Sequence, residues 1–241
     1  MTAGEAKYRR IVLKVSGEGL AREGRFGIDE EALAVTAGEI AAVTSLGVQV
    51  ALVIGGGNFF RGRQAAGSRR VARTTADTMG MLATTMNALA LRDCLQSIGI
   101  DGRVMGTVTT EAVSEPFVAR RAVRHLQAGR VILLAGGTGH PFFTTDTCAA
   151  LRAAELGADA MLKATKVDGV FSADPVIHPD AERFAHLTYQ EVLTRRLGVM
   201  DMTDVSLCMD AAIPVIVFKF TTPGNTLRVV RGEDVGTTIS L

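Results

Sequence analysis

Short apolar runs that stop at or near glycine are the feature that most constrains this chain. Ile11–Val15, Val48–Ile54, Val131–Ala135, Met161–Leu162 and Val215–Phe218 are rich in Val, Ile and Leu and show little polar alternation. Such runs mark strands buried on both faces. Helical periodicity fills several of the intervals. Glu30–Leu46 carries Leu33, Ala37, Ile40 and Ala41 at helical spacing and ends before Gly47. Asp77–Ile98 sets Met79, Leu82, Ala83, Met86, Leu89, Ala90 and Cys94 on one stripe and stops at Gly99, and Asp146–Leu156 stops at Gly157. Glycine just past a helix end is the usual left-handed stop. Strand, glycine turn and helix in alternation predict an α/β protein with a mostly parallel sheet covered by helices. No internal repeat or low-complexity linker divides residues 1–241, which are read as one domain.

Composition narrows the function. The chain has 241 residues, 47% hydrophobic, which argues against disorder. Aromatic residues make up only 5%, with no Trp, so a stacking platform for single-stranded nucleic acid is not expected. Basic and acidic residues number 26 and 25, and this balance argues against a general phosphate-backbone binder. Of the 26 basic residues only Lys7, Lys14, Lys163, Lys166 and Lys219 are lysine. Three cysteines, Cys94, Cys148 and Cys208, form no CxxC pair, so they read as buried small apolar residues of a reduced, cytoplasmic protein. The uncharged stretch Ile40–Phe60 is too polar and glycine-rich for a lipid-facing helix, and no secretory core opens the chain, so no membrane association is expected.

In parallel α/β sheets, ligands sit beyond the carboxyl ends of the strands. The loops there are conspicuous: Lys14-Val15-Ser16-Gly17-Glu18, Gly55–Gly62, Gly136–Asp146 and Lys163–Val170. Consecutive glycines leave backbone N–H groups free to point at an anion, and two such loops suggest two phosphate-bearing ligands or one long one. Each alone could equally be a tight strand–helix turn. Neither is the dinucleotide fingerprint, since Phe60 and Phe142 stand where the third glycine belongs; no lysine follows a glycine, which excludes the Walker loop. The protein-kinase HRD and DFG elements are absent. His125, His140, His178 and His186 share no metal-ligand spacing. Lys14, at the end of an apolar strand, is either an edge lysine reaching solvent or an ammonium facing phosphates. Thr145 or Asp146 would cap a helix, and Asp146 could also position catalytic groups. Asp77 is expected to open its helix, favouring the dipole, or to accept from a ribose hydroxyl. Asp168-Gly169 and Asp174-Pro175 read as turns. The arginines at 61–73 and 120–130 read mostly as solvated surface, some fit for a polyphosphate effector.

The segments Leu13–Glu18, Phe26–Asp29, Val53–Gly62, Asp77–Thr84, Pro141–Asp146 and Lys163–Phe171 together resemble the bacterial UMP kinases of the amino-acid-kinase superfamily over essentially the whole chain. The resemblance implies a three-layer αβα sandwich, with an N-terminal lobe that binds UMP and oligomerises and a C-terminal lobe that binds ATP. It implies transfer of the ATP γ-phosphoryl to UMP in pyrimidine nucleotide biosynthesis, with Lys14, Arg61 and Asp146 catalytic. ATP would meet Lys14, Val15, Ser16, Gly17, Gly57, Arg61, Thr165, Phe171 and Asp174. UMP would meet Gly56, Asp77, Thr138, Gly139, His140, Pro141, Phe142, Phe143, Thr144 and Thr145. Magnesium would come with ATP, no side chain being assigned to hold it. The resemblance further implies a cytoplasmic homohexamer, inhibited by UTP and activated by GTP, with Arg92, Arg103 and Arg130 as candidate effector contacts. His140 departs from the asparagine of many members. The alternatives are a superfamily kinase of a carboxylate such as acetylglutamate or aspartate, which Asp77 and Pro141–Thr145 weigh against, and a nucleotide-responsive regulator without turnover, which Lys14 and Asp146 weigh against.

Overall fold

The structure is a computed structural model that describes residues 5–22, 24–60, 71–108, 110–173, 175, 177–178 and 180–241. The strands are β1 (Arg10–Val15), β2 (Gln49–Ile54), β3 (Gly102–Gly106), β4 (Glu115–Pro116), β5 (Val131–Ala135), β6 (Ala160–Thr165), β7 (Val170–Phe171), β8 (Arg183–Phe184), β9 (His186–Thr188), β10 (Val215–Lys219) and β11 (Thr237–Ser240). The helices are α1 (Glu30–Thr44), α2 (Arg73–Ser97), α3 (Ala119–Gln127), α4 (Thr145–Leu156), α5 (Tyr189–Arg195), α6 (Met202–Asp210) and α7 (Asn225–Val230).

Among the described residues nine strands form one sheet in the order β4-β3-β5-β2-β1-β6-β10-β11-β9, and β7 and β8 make a separate pair. Within the large sheet every pairing is parallel except β10 with β11. Alternate side chains feed two cores, as the pleat requires. Ile11, Leu13, Val15, Leu52 and Ile54 pack with α1, α2 and α7, whereas Val12, Ala51, Val53 and Met161 pack with α3, α4, α5 and α6. This is the expected three-layer sandwich. The chain runs from β1 outward to β2 on one side and returns to β6 on the other, so a crevice opens beyond β1 where the order reverses.

Local chemistry sets the helix ends, with two corrections to the reading above. Asp29 caps α1, its carboxylate accepting from the Ala32 amide at 3.1 Å, and Gly157 in the left-handed region (φ 59°) ends α4. Helix α2 begins at Arg73 rather than at Asp77, so Asp77 lies in its second turn and pairs with Arg73 at 2.9 Å instead of serving the dipole. Helix α4 is capped by Thr144, whose hydroxyl accepts from the Thr147 amide at 3.3 Å, not by Thr145 or Asp146. The apolar stripe expected on α2 also divides. Its buried face carries the small and polar Ala76, Ala83, Thr84, Asn87 and Ala88, which let loops approach closely, while Met79, Leu82 and Met86 are 42%, 42% and 46% exposed. Cys148 and Cys208 are buried and Cys94 is half-buried.

Candidate active site

Lys14 and Lys163 are register partners on the adjacent parallel strands β1 and β6. Lys14 follows Val12, and Lys163 follows Met161, by two residues, so both side chains leave the sheet on the face that α4 covers. Neighbouring strands lie about 4.8 Å apart, and two ammonium groups so placed repel each other unless an anion lies between them. Asp146 supplies it from the first turn of α4. Its Oδ1 lies 2.9 Å from Lys14 Nζ and its Oδ2 2.8 Å from Lys163 Nζ, which also donates to the Val199 carbonyl. Burial alone would raise the Asp146 carboxyl, but the charges and hydrogen bonds of Lys14 and Lys163 outweigh it and hold the group below its ordinary value. Two cations share one anion, leaving one positive charge at the floor of the crevice.

The glycine loops meet in front of this trio. A Cβ on Gly17 would lie 2.5 Å from the Gly55 carbonyl oxygen, and one on Gly56 would lie 2.6 Å from that of Gly80 in α2. Only glycine permits these approaches. Ser16 caps the short 3-10 helix Gly17–Leu20, accepting from the Glu18 amide at 3.3 Å. In the Gly136–Asp146 loop, Gly136, Gly137 and Gly139 adopt φ of 78°, 58° and 82°, and the Gly136 amide donates to Thr84 Oγ at 2.7 Å. Phe142 is held at φ 72°, a costly region for an aromatic residue, with its amide donating to Asp77 at 2.9 Å and Arg73 lying 5.6 Å from the ring centroid.

Among the described residues, three cavities are lined by members of the trio or by residues next to them in the chain. One of about 140 Å³ is lined by Gly56, Asp77, Thr138, His140, Phe143, Thr144 and Thr145, so seven of the ten residues expected at the acceptor share one pocket. Gly139, Pro141 and Phe142 belong to the same loop but do not line it. A second, about 610 Å³, is lined by Lys14, Val15, Ser16, Lys163 and Thr165. A third, about 620 Å³, adds Phe171, Arg195, Arg196 and Val199 to Lys163 and Thr165. Gly57 lines a different cavity beside Glu18 and Lys166, whose side chains lie 3.3 Å apart. Arg61 and Asp174 lie outside the described residues. Arg92 and Arg103 line a remote cavity of about 400 Å³, and Arg130 meets Arg103 through Asp101, its Nε donating to Oδ2 at 2.8 Å.

Lys163, expected at the start of a ligand-side loop, stands inside β6. Three further contributors have no counterpart in the sequence expectations. These are Thr84, Asn87 and Asp204; a polar residue at the same helical spacing as buried Ala, Leu or Val was the available signal. Asp204, on α6, is fully buried. Burial pushes its carboxyl up to about 6; the Thr147 hydroxyl opposes that rise, and the charges of Asp146 and Asp201 add to it.

Residues 9–219 match the amino acid kinase family. The chain is 52% identical over 233 residues to the uridylate kinase PUMPKIN, chloroplastic, of Arabidopsis thaliana, covering 97% of this chain and 69% of that protein. Among solved structures, a UMP kinase from Bacillus anthracis superposes with a TM-score of 0.94 at 40% identity, covering 97% of this chain and 96% of the other. A UMP kinase from Ureaplasma parvum gives a TM-score of 0.91 at 33% identity, over 98% and 100% of the two chains.

Proposed function

The chain belongs to the amino acid kinase family, and from that premise we propose that it transfers the γ-phosphoryl group of ATP to UMP, giving UDP and ADP. The observation that carries the reading is the Lys14–Asp146–Lys163 trio at the meeting point of two glycine loops. Phosphoryl transfer needs little covalent help from a protein; it needs two anions brought into line and their charge neutralised. The surplus positive charge of the trio suits the transferring group, and a lysine is a compact point charge that can follow it. No general base is required, because the acceptor oxygen of a nucleoside monophosphate is already anionic near neutral pH. The names of the relatives single out UMP as acceptor.

In this reading UMP occupies the pocket of Gly56, Asp77 and Thr138–Thr145, with Asp77 accepting from a ribose hydroxyl, and ATP lies over Lys14–Gly17 and Thr165. The adenine would extend toward Phe171, with Gly57, Arg61 and Asp174 completing the ATP set. The N-terminal lobe would thus serve UMP and the C-terminal lobe ATP. The residues here do not build a side-chain cage for magnesium: among the described residues no group of three candidate ligands occurs, and both Asp146 oxygens face lysines. Magnesium would be held by the phosphates of ATP, where it would neutralise charge.

The wider proposal is a cytoplasmic homohexamer of pyrimidine nucleotide biosynthesis, inhibited by UTP and activated by GTP through Arg92, Arg103 and Arg130. The exposed Met79, Leu82 and Met86 stripe on α2 supports self-association. Among the described residues no helix is long and apolar enough to cross a membrane.

ADP formation from UMP and MgATP, compared between the wild type and Lys14→Ala, tests the reading. Removing a charge partner of the transition state lowers turnover at least ~100-fold. Near-normal turnover in the variant rejects the role of Lys14, and phosphorylation of acetylglutamate but not UMP overturns the acceptor.

A further inference from the structure

Behind the Gly55–Gly57 loop, out of reach of the lysine trio, two buried asparagines face each other. Asn87 of α2 is completely inaccessible and Asn58 nearly so. Asn58 Nδ2 donates to Asn87 Oδ1 at 2.9 Å, and Asn87 Nδ2 donates back to Asn58 Oδ1 at 2.7 Å. The second N–H of each amide reaches a backbone carbonyl: Asn87 donates to Gly55 at 2.7 Å and Asn58 to Gly27 at 2.8 Å. Every amide proton of the pair therefore has an acceptor, the condition under which two buried polar groups rigidify their surroundings instead of destabilising them. Gly17 closes over the same pair, since a Cβ there would lie 2.6 Å from Asn58 Oδ1. Turns from two separate segments are thus locked to one helix through two side chains, with Gly17 packed against them.

The lock has a consequence for the site. In a trans peptide the carbonyl and the following N–H point in opposite directions. Holding the Gly55 carbonyl toward Asn87 therefore fixes the direction of the Gly56 N–H, on the loop proposed to meet nucleotide phosphates. The Phe59 and Phe60 amides hold the Gly56 carbonyl from within the loop, whereas the Gly55 carbonyl is held by Asn87 of α2. We infer that Asn87, itself held by Asn58, is a positioning residue that orients the Gly56 amide for phosphate binding. No apolar residue can replace it, because none donates to Gly55, and a carboxylate would set negative charge against two oxygens.

This inference rests on the kinase reading above, and the test separates the two. The wild type, Asn87→Leu and Asn87→Asp are assayed with UMP and MgATP from pH 6 to pH 8, with KM for each nucleotide, kcat and thermal unfolding measured together. Asn87→Leu raises KM for at least one nucleotide by at least ~10-fold, in line with the sensitivity of near-attack geometry to small displacements. Asn87→Asp shows the same defect at pH 8, and its KM falls toward the wild-type value on acidification, because a protonated carboxyl regains one O–H to donate to Gly55. A scaffold role without positioning would lower the melting temperature and active fraction, leave KM unchanged and give no recovery in acid. That result overturns the inference, and the Asn87→Asp profile decides it even if Asn87→Leu fails to fold. If the wild type does not turn over UMP, the kinase reading fails; if it does and both variants keep its KM, only the inference fails.

Discussion

Asp204 makes the fold less stable at neutral pH than it need be, and the size of that penalty follows from the structure. Its carboxyl is fully buried on α6 and is pushed from its ordinary 3.8 to about 6, burial being the largest cause. At 1.36 kcal/mol per pH unit, this displacement corresponds to about 3 kcal/mol. The sign follows from proton counting. Between the two values the native state holds a proton that the unfolded chain has lost, so acidification favours the native state and the benefit disappears as pH rises through about 6. Asp204→Asn keeps the shape and removes the titration. Urea unfolding of the wild type and the variant from pH 4 to pH 7.5 should show the variant gaining on the wild type as pH rises, by roughly 2–3 kcal/mol in all. Asp146 has the opposite tendency: held below its ordinary value, it contributes stability that is lost as pH falls. That contribution is present in both proteins and enters the difference only through its coupling to the Asp204 charge. Parallel stability curves, or a variant that loses ground as pH rises, would refute the assignment of a raised carboxyl to Asp204.

Two further outcomes can be checked simply. Gly17→Ala should cut kcat/KM with ATP by at least ~10-fold, because its Cβ would enter the Gly55 carbonyl and force the two glycine loops apart; unchanged steady-state kinetics would contradict the close approach. Burial pushes the Cys148 thiol up to about 11 and the Cys208 thiol up to about 12, so a thiol reagent applied to the native protein at pH 7.5 should modify Cys94 first, by peptide mapping; early labelling of Cys148 or Cys208 would count against their burial.

The α/β architecture was readable because its signal is local. Ile11–Val15, Val131–Ala135 and the helix over Glu30–Thr44 each advertise themselves within a few residues, by composition, period and a terminal glycine. What escaped was set by partners distant in the chain. β3 has no apolar run of its own, since Arg103 interrupts it, yet its pairing with β5 from Gly102 to Gly106 makes it a strand. Asp77 has the look of a first-turn acid, whereas its partners Arg73 and Phe142 hold it in the second turn of α2. The face of α2 was misjudged for a related reason. Hydrophobicity proposes which residues are buried, and Leu91 and Leu95 obey it, but nearer the start of the helix loops come within contact, and Gly80, Ala83, Thr84 and Asn87 leave room for them.

The same distinction separates the glycine loops from the charges they surround. A run such as Gly55-Gly56-Gly57 after an apolar strand marks either an anion site or a tight turn on its own, since the backbone freedom it confers is a property of those residues alone. The trio of Lys14, Asp146 and Lys163 has no such local mark. It exists because β1 and β6 pair in a register that sets Lys14 beside Lys163, and because Thr144 starts α4 where Asp146 can reach both. Shift that register by one residue and one lysine would turn into the opposite core, leaving Asp146 a single partner and the crevice without its surplus charge. The charge that suits phosphoryl transfer is therefore a consequence of topology, and the parallel pairing of β1 with β6 is as much a part of the site as the side chains it aligns.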